Sequence, residues 1–236
     1  MNRMVNTILH GDCLELMKLI PDGSVDMILA DLPYKKTANS WDKIIPPDKL
    51  WPEYERIIKP HGAMVLTASE PFSSLMVMSN VRHYRHKWVW NKNNSAGFAF
   101  VKFQPFQTTE DILVFGLNGV TYYPIMEERG KPRKKGGYSS SQNYTITPNA
   151  SVNNVYYPKH ILNISGANQS IKLHPTQKPL ALCEYLIRTY TLEGDLVLDN
   201  VCGSGTTCLA AKNLNRRYIG MELDEHYVQI ARARLE

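Results

Sequence analysis

Short apolar runs that stop abruptly punctuate the chain at residues 8–10, 25–30, 63–67, 196–198 and 218–221. Runs of this length without polar alternation suit strands buried on both faces. Between them the spacing predicts helices at 13–19, 50–58, 71–81, 206–215 and from about Asp224. Asp12 and Glu15 stand at capping-box spacing for the first. A further helix is predicted over 179–188 with Pro179 at its first position. Pro21-Asp22-Gly23 reads as a turn, and Lys59-Pro60-His61-Gly62 stands ahead of the strand at 63–67. Strand and helix alternating in this way predict an α/β chain with a mostly parallel, doubly wound sheet. Residues 85–90 and 111–115 read as late strands. Residues 121–173 lose periodicity among Gly, Ser, Asn, Tyr and Pro clusters and read as an irregular insertion.

Asp31-Leu32-Pro33-Tyr34 follows the run 25–30 with nothing between. A carboxylate, two backbone carbonyls and an aromatic ring therefore leave the carboxyl end of a strand together, where open α/β sheets bind ligands. Acceptors beside a flat apolar face suit the exocyclic amine of a planar base. The plainer reading is a turn-forming Asp31, a strand-stopping Pro33 and a core Tyr34.

A second turn, Asp199-Asn200-Val201-Cys202-Gly203-Ser204-Gly205-Thr206-Thr207, also follows an apolar run and opens into a helix. Gly203 and Gly205 permit close ligand approach, and Thr206 and Thr207 supply hydroxyls. Cys208 stands where a dinucleotide fingerprint needs glycine, which makes a nicotinamide enzyme a poor match, and no Gly-Lys-Ser/Thr ending follows, so a phosphate loop fails too. Glu222 ends the next run about twenty residues on, at the distance where an acid meets a ribose diol. Its alternative role is to stabilise the first turn of the helix near Asp224.

Asp-Leu-Pro-Tyr early, His174-Pro175-Thr176-Gln177-Lys178-Pro179 later and the Gly203–Gly205 turn last together resemble an S-adenosylmethionine-dependent amino-DNA methyltransferase of the β arrangement. The likeness spans nearly the whole chain and is loose over 93–173. It implies a Rossmann-like methyltransferase fold with an inserted target-recognition region. It also implies a catalytic role for Asp31, Leu32, Pro33 and Tyr34. Cofactor contacts are implied for Asp12, Cys13, Asp31, Lys178, Asp199, Val201, Cys202, Gly203, Ser204, Gly205, Thr206, Thr207, Glu222 and Leu223. Asp12 has a helix-capping role as its alternative. Two departures stand out. Leu32 replaces the first proline of Asp-Pro-Pro-Tyr, which costs little if that position contributes its carbonyl. Asn200-Val201 replaces the Pro-Phe that usually follows the second motif's Asp, leaving Val201 less apolar area against the cofactor. An Asp-initiated motif points to adenine N6. Cytosine N4 is the alternative, with a non-catalytic nucleic-acid-binding module behind it.

At 236 residues and 43% hydrophobic content, one sizeable domain suffices. The expected division is a catalytic half at 1–92, late strands and insertion at 93–173, and a cofactor-binding half at 174–236. Between 121 and 172, seven basic residues face two acidic ones, an excess equal to the +5 of the whole chain. With tyrosines interleaved, this segment suits double-stranded DNA, and Arg133, Lys134, Lys135 and Tyr138 are the expected DNA contacts. A merely solvated insertion is the alternative. No apolar run is long enough for a membrane span and residues 1–15 lack a signal-peptide pattern, so a cytoplasmic place in a bacterium, or in a phage's bacterial host, is expected. Cys13, Cys183, Cys202 and Cys208 are scattered as packing residues, and His83 and His86 read as surface residues beside Arg82, Arg85 and Lys87, so no metal is expected. A homodimer and a cognate restriction endonuclease are left open as partners.

Overall fold

The computed structural model describes residues 4–34, 44–96, 98, 101–135, 140–141, 144–145, 151–166, 173 and 177–236. The strands are β1 (Thr7–His10), β2 (Val25–Ala30), β3 (Ile58–Ala68), β4 (Tyr84–Ala96), β5 (Gln107–Phe115), β6 (Glu127–Lys135), β7 (Ser140–Ser141), β8 (Tyr144–Thr145), β9 (Ser151–Tyr156), β10 (Ile161–Asn163), β11 (Leu196–Asp199) and β12 (Arg217–Glu222). The helices are α1 (Cys13–Met17), α2 (Pro47–Ile57), α3 (Phe72–Ser79), α4 (Leu180–Tyr190), α5 (Thr206–Asn213) and α6 (Glu225–Leu235).

Eight strands form one sheet in the order β1-β12-β11-β2-β3-β5-β4-β10. Every neighbouring pair is parallel except those that β5 makes with β3 and β4. The sheet is doubly wound, as the apolar runs predict. Met27 and Leu29 of β2 face a core shared with Leu186, Ala210 and Ala231 of α4, α5 and α6. Ile28 and Ala30, pointing the other way, join Met17, Tyr54 and Met76 of α1, α2 and α3. Burial on both faces removes any polar side from β2, so its sequence reads as a run rather than an alternation.

Several local expectations need correction. Lys59-Pro60-His61-Gly62, expected ahead of a strand at 63–67, is already part of β3, which begins at Ile58. The β2–β3 register shifts between Val25 and Met27, and this irregularity accommodates a segment rich in turn residues. Pro179 caps α4 in an extended conformation instead of forming its first turn. At α1 half of the capping box forms: Asp12 accepts from the Leu14 and Glu15 N–H groups, while the Glu15 carboxylate turns to Lys18 at 2.8 Å. His83 and His86 are not simple surface residues. His83 Nδ1 lies 3.1 Å from Glu55, and His86 Nε2 lies 2.9 Å from the Tyr190 hydroxyl.

The described chain divides into two compact units, Met1–Tyr123 with His160–Glu236, and Pro124–Lys159. The smaller is not irregular throughout, because β6 and β9 pair antiparallel within it. Its Arg129 pairs with Glu127 and lies 5.5 Å from the Tyr156 ring centroid, so part of its charge is balanced internally. β4 and β5, expected beside the insertion, belong to the main sheet, and so does β10, which lies within the 121–173 segment expected to be irregular.

Gly205 shows how tightly α5 and α6 meet. It caps α5 with φ +78°, and a Cβ there would stand 3.0 Å from the Cβ of Ala231 in α6. Backbone conformation and helix packing therefore both require glycine. Gly205→Ala is expected to destabilise the fold by about 1–3 kcal/mol, from overpacking and a left-handed alanine. Urea unfolding monitored by circular dichroism checks this, and an unchanged midpoint would contradict it.

Candidate active site

Four adjacent parallel strands, β1, β12, β11 and β2, end at one edge of the sheet, and each delivers an acid there: Asp12, Glu222, Asp199 and Asp31. All four line a single cleft of about 400 Å³. The two turns singled out from sequence thus meet in one cavity, with Pro33 and Lys178 on its wall beside Val201, Cys202, Gly203, Ser204, Thr206 and Thr207. Cys13 and Leu223 line it as well.

Asp31 emerges from β2 into a set of donors. The hydroxyls of Tyr34 and Thr67 both donate to Oδ1, and Lys178 Nζ sits 2.7 Å from Oδ2. Thr67 lies on β3, paired beside β2, so the strand register places its hydroxyl next to the carboxylate. Lys178 also lies 3.4 Å from Glu110 on β5, and Glu110 is 3.1 Å from Lys92 on β4. Asp31, Lys178, Glu110 and Lys92 thereby form a line of alternating charge. Burial works to lower the pKa of Lys178, but Asp31, Tyr34 and Glu110 outweigh it and leave the ammonium well above the ordinary lysine range. Burial and the neighbouring Asp31 push the Tyr34 phenol up, so it remains a donor.

Tyr34 is held more firmly than the sequence suggests. Its ring stacks on Phe72 with centroids 5.1 Å apart, and Lys178 Nζ lies 5.8 Å from its centroid. Leu32 turns its side chain into the core and is buried.

At the glycine turn, Gly203 has φ +51° and its N–H donates to Glu222 Oε2 at 2.8 Å. Glu222 Oε1 accepts from the Leu223 and Asp224 N–H groups at 2.9 Å each, while Asp224 itself caps α6. Glu222 therefore fastens the turn after β11 to the end of β12. Ser204 is a structural residue: it is buried, donates to Gln177 and accepts from Arg234. Gly205 faces α6 instead of the cleft. Burial pushes Asp199 up to about 7 against the pull of the Thr207 hydroxyl and the Val201 N–H, and the carboxylates of Asp31 and Glu222 add to the rise.

Sequence reading missed Ile44, Ile45 and Pro46, which form an apolar wall of the cleft, Thr67, which donates to Asp31, and Glu110, which pairs with Lys178. The apolar pair just before α2 was the available signal for the wall. Thr67 and Glu110 lie within strand patterns and had none. His174, Pro175, Thr176 and Tyr138 lie outside the described residues. Arg133, Lys134 and Lys135 lie on β6. The four cysteines are free, and three of them line the cleft. Among the described residues no group of three or more His, Cys, Asp or Glu side chains is placed to hold a metal, and no helix is long and apolar enough to cross a membrane.

A strand-edge cleft of this construction, with one acid on a short Pro-Tyr turn and others around a glycine turn, is the kind of site at which doubly wound α/β proteins bind nucleotide cofactors. The chain belongs to the DNA methylase family, whose sequence model for N6 and N4 methyltransferases matches residues 25–233. Among its relatives are the Type II methyltransferase M.HpaI of Haemophilus parainfluenzae, 28% identical across 99% of this chain and 75% of that protein. The DNA adenine methyltransferase YhdJ of Escherichia coli (strain K12) is 29% identical across 98% of this chain and 82% of that one. The M1.HpyAVI–SAM complex superposes with a TM-score of 0.66 at 27% identity, covering 98% of both chains. PvuII DNA methyltransferase (cytosine-N4-specific) shares the fold, with a TM-score of 0.68 at 18% identity over 96% of this chain and 85% of that one.

Asp199 gives this site a pH signature. Its folded pKa of about 7 lies above the ordinary 3.8, so the folded state holds the proton more tightly than the unfolded chain. Its contribution to stability is thus fully present below the unfolded value, falls as pH rises between the two, and stays low above the folded value. Asp199→Asn removes this dependence. The variant's melting temperature relative to the natural chain is expected to rise between pH 5 and pH 8. A difference independent of pH would show that Asp199 does not carry the proton.

Proposed function

We propose that the protein transfers a methyl group from S-adenosylmethionine to the N6 amino group of adenine in double-stranded DNA, by base flipping and direct displacement. The observation that carries this reading is the single cleft lined both by Asp31 and Pro33 and by Gly203 and Glu222. The donor set suits the cofactor: an acid at the end of β12 for a ribose diol, a glycine turn free of Cβ at Gly203, and apolar walls for a flat ring. Asp12, Cys13, Asp199, Val201, Cys202, Gly203, Thr206, Thr207, Glu222 and Leu223 would hold it. When bound, it supplies an electrophilic methyl group.

The chain's own task is to present the amine. A base inside a duplex is out of reach, and turning it out costs a few kcal/mol. Asp31 and the Leu32 carbonyl each accept one N–H, which turns the nitrogen lone pair out of conjugation with the ring. Pro33 fixes the backbone that follows the Leu32 carbonyl. Because Tyr34, Thr67 and Lys178 already donate to Asp31, the arriving amine displaces one of these donors, and the others keep the carboxylate charged and aimed. Positioning of two bound reactants can lower a barrier by roughly 7–11 kcal/mol, so no covalent enzyme intermediate is required.

Adenine is favoured by the Asp-initiated turn and by the relative named as an adenine methyltransferase. Arg133, Lys134, Lys135 and Tyr138, in or beside the basic β6 segment, serve as DNA contacts. A cytoplasmic setting, a cognate restriction endonuclease and a homodimer that extends DNA contact complete the proposal. Two relatives carry the Type II designation.

Digestion of methylated DNA to nucleosides, followed by mass spectrometry, is expected to yield N6-methyladenine. N4-methylcytosine, or no modified nucleoside, would overturn the assignment. Asp31→Ala is expected to lower turnover about 100-fold or more through lost alignment, with cofactor affinity retained. Tritiated-methyl transfer and calorimetry check the two halves, and retained turnover would remove Asp31 from its role. Neutralising Lys134 and Lys135 together should reduce the salt slope of DNA affinity by about two, one per phosphate contact, with unchanged sequence preference. An unchanged slope would remove these lysines from the interface.

A further inference from the structure

Asn200 is the one buried side chain of the cleft whose bonding is incomplete among the described residues. It follows β11, lines the cleft and is 1% exposed. Its Oδ1 accepts the Tyr54 hydroxyl at 2.6 Å, an arrangement fixed by a phenol that is itself fully buried and must place its proton. The amide's other end, Nδ2, has no hydrogen-bond partner among the described residues. The Cys13 thiol lies near this amide, and a thiol is a weak acceptor. A buried N–H group left without an acceptor opposes folding, and such groups call for an explanation in ligand or water.

We infer that Asn200 Nδ2 donates to a ring nitrogen of the cofactor's adenine, making Asn200 a specificity residue of the cofactor pocket. The inference rests on the cofactor reading above. Its chemistry is set by what surrounds the amide. Nδ2 needs an acceptor, and the cleft walls formed by Leu14, Ile44, Ile45, Pro46 and Val201 suit a flat ring whose polar atoms lie in its plane. Ring nitrogens of adenine are acceptors of that kind. The related motif has proline at this position, which offers no side-chain donor. Asn200 thus adds a contact that offsets the smaller apolar area of Val201.

Calorimetric binding of S-adenosylhomocysteine and its 1-deaza, 3-deaza and 7-deaza analogues tests this directly. The natural chain is expected to bind one analogue about tenfold more weakly than the parent, as for loss of a buried hydrogen bond. Asn200→Ala is expected to bind the parent about tenfold more weakly and to lose that discrimination. Since Asn200→Ala also strips Tyr54 of its acceptor, Tyr54→Phe serves as control and as background. Tyr54→Phe should keep both affinity and discrimination, and Tyr54→Phe/Asn200→Ala should lose both. Equal binding of all analogues by the natural chain, or discrimination that survives Asn200→Ala, would overturn the inference. If the natural chain fails to bind S-adenosylhomocysteine at all, the cofactor reading falls, and this inference with it.

Discussion

The parallel register of β1, β12, β11 and β2 is the constraint from which the site follows. Parallel neighbours end at the same edge, so acids placed at the ends of four strands cannot avoid one another. Asp12, Glu222, Asp199 and Asp31 converge on one cleft without any long-range loop having to bring them there. Crowded carboxylates repel and resist burial, and the fold answers each in a different way. Asp12 spends one oxygen on the first turn of α1, and Glu222 takes three backbone N–H groups. Asp31 faces a lysine and two hydroxyls, while Asp199 takes up a proton near neutral pH.

These answers separate binding from chemistry. Glu222 and the Gly203 turn are locked together by backbone bonds, which suits a pocket that must keep its shape. Asp31 is satisfied by side chains, which can exchange for an incoming amine without unravelling a strand. The line from Asp31 through Lys178 and Glu110 to Lys92 spreads compensation over two further strands. Breaking a buried pair by removing one member leaves the other charge uncompensated, so these residues are energetically tied to one another.

Much of this was legible in the chain. The apolar runs gave β2 to the residue, because a strand buried on both faces has a sharp start and stop. The same property located Asp31 and Asp199 at strand ends and hence at one edge. What escaped were features set by register and side-chain reach. Thr67 and Glu110 sit inside strands whose composition says nothing of their neighbours. Lys59-Pro60-His61-Gly62 reads as the lead-in to a strand, yet it belongs to β3 itself, at the place where the register with β2 skips from Ile58 to Ala63. Gly205 looked like a ligand-facing glycine, but its missing Cβ makes room for Ala231. In the Pro124–Lys159 unit, β6 and β9 pair despite a composition with few apolar residues.

The central claim is that the Asp31 turn and the Gly203 turn serve one transfer across one cleft. A crystal structure of the chain with S-adenosylhomocysteine and a duplex containing its target base measures this most directly. The account predicts the sulfur in the cleft between the two turns and an extruded base with its amine on Asp31, about one methyl group away from that sulfur. A cofactor seated away from Gly203 and Glu222, or a base whose amine does not meet Asp31, would contradict it.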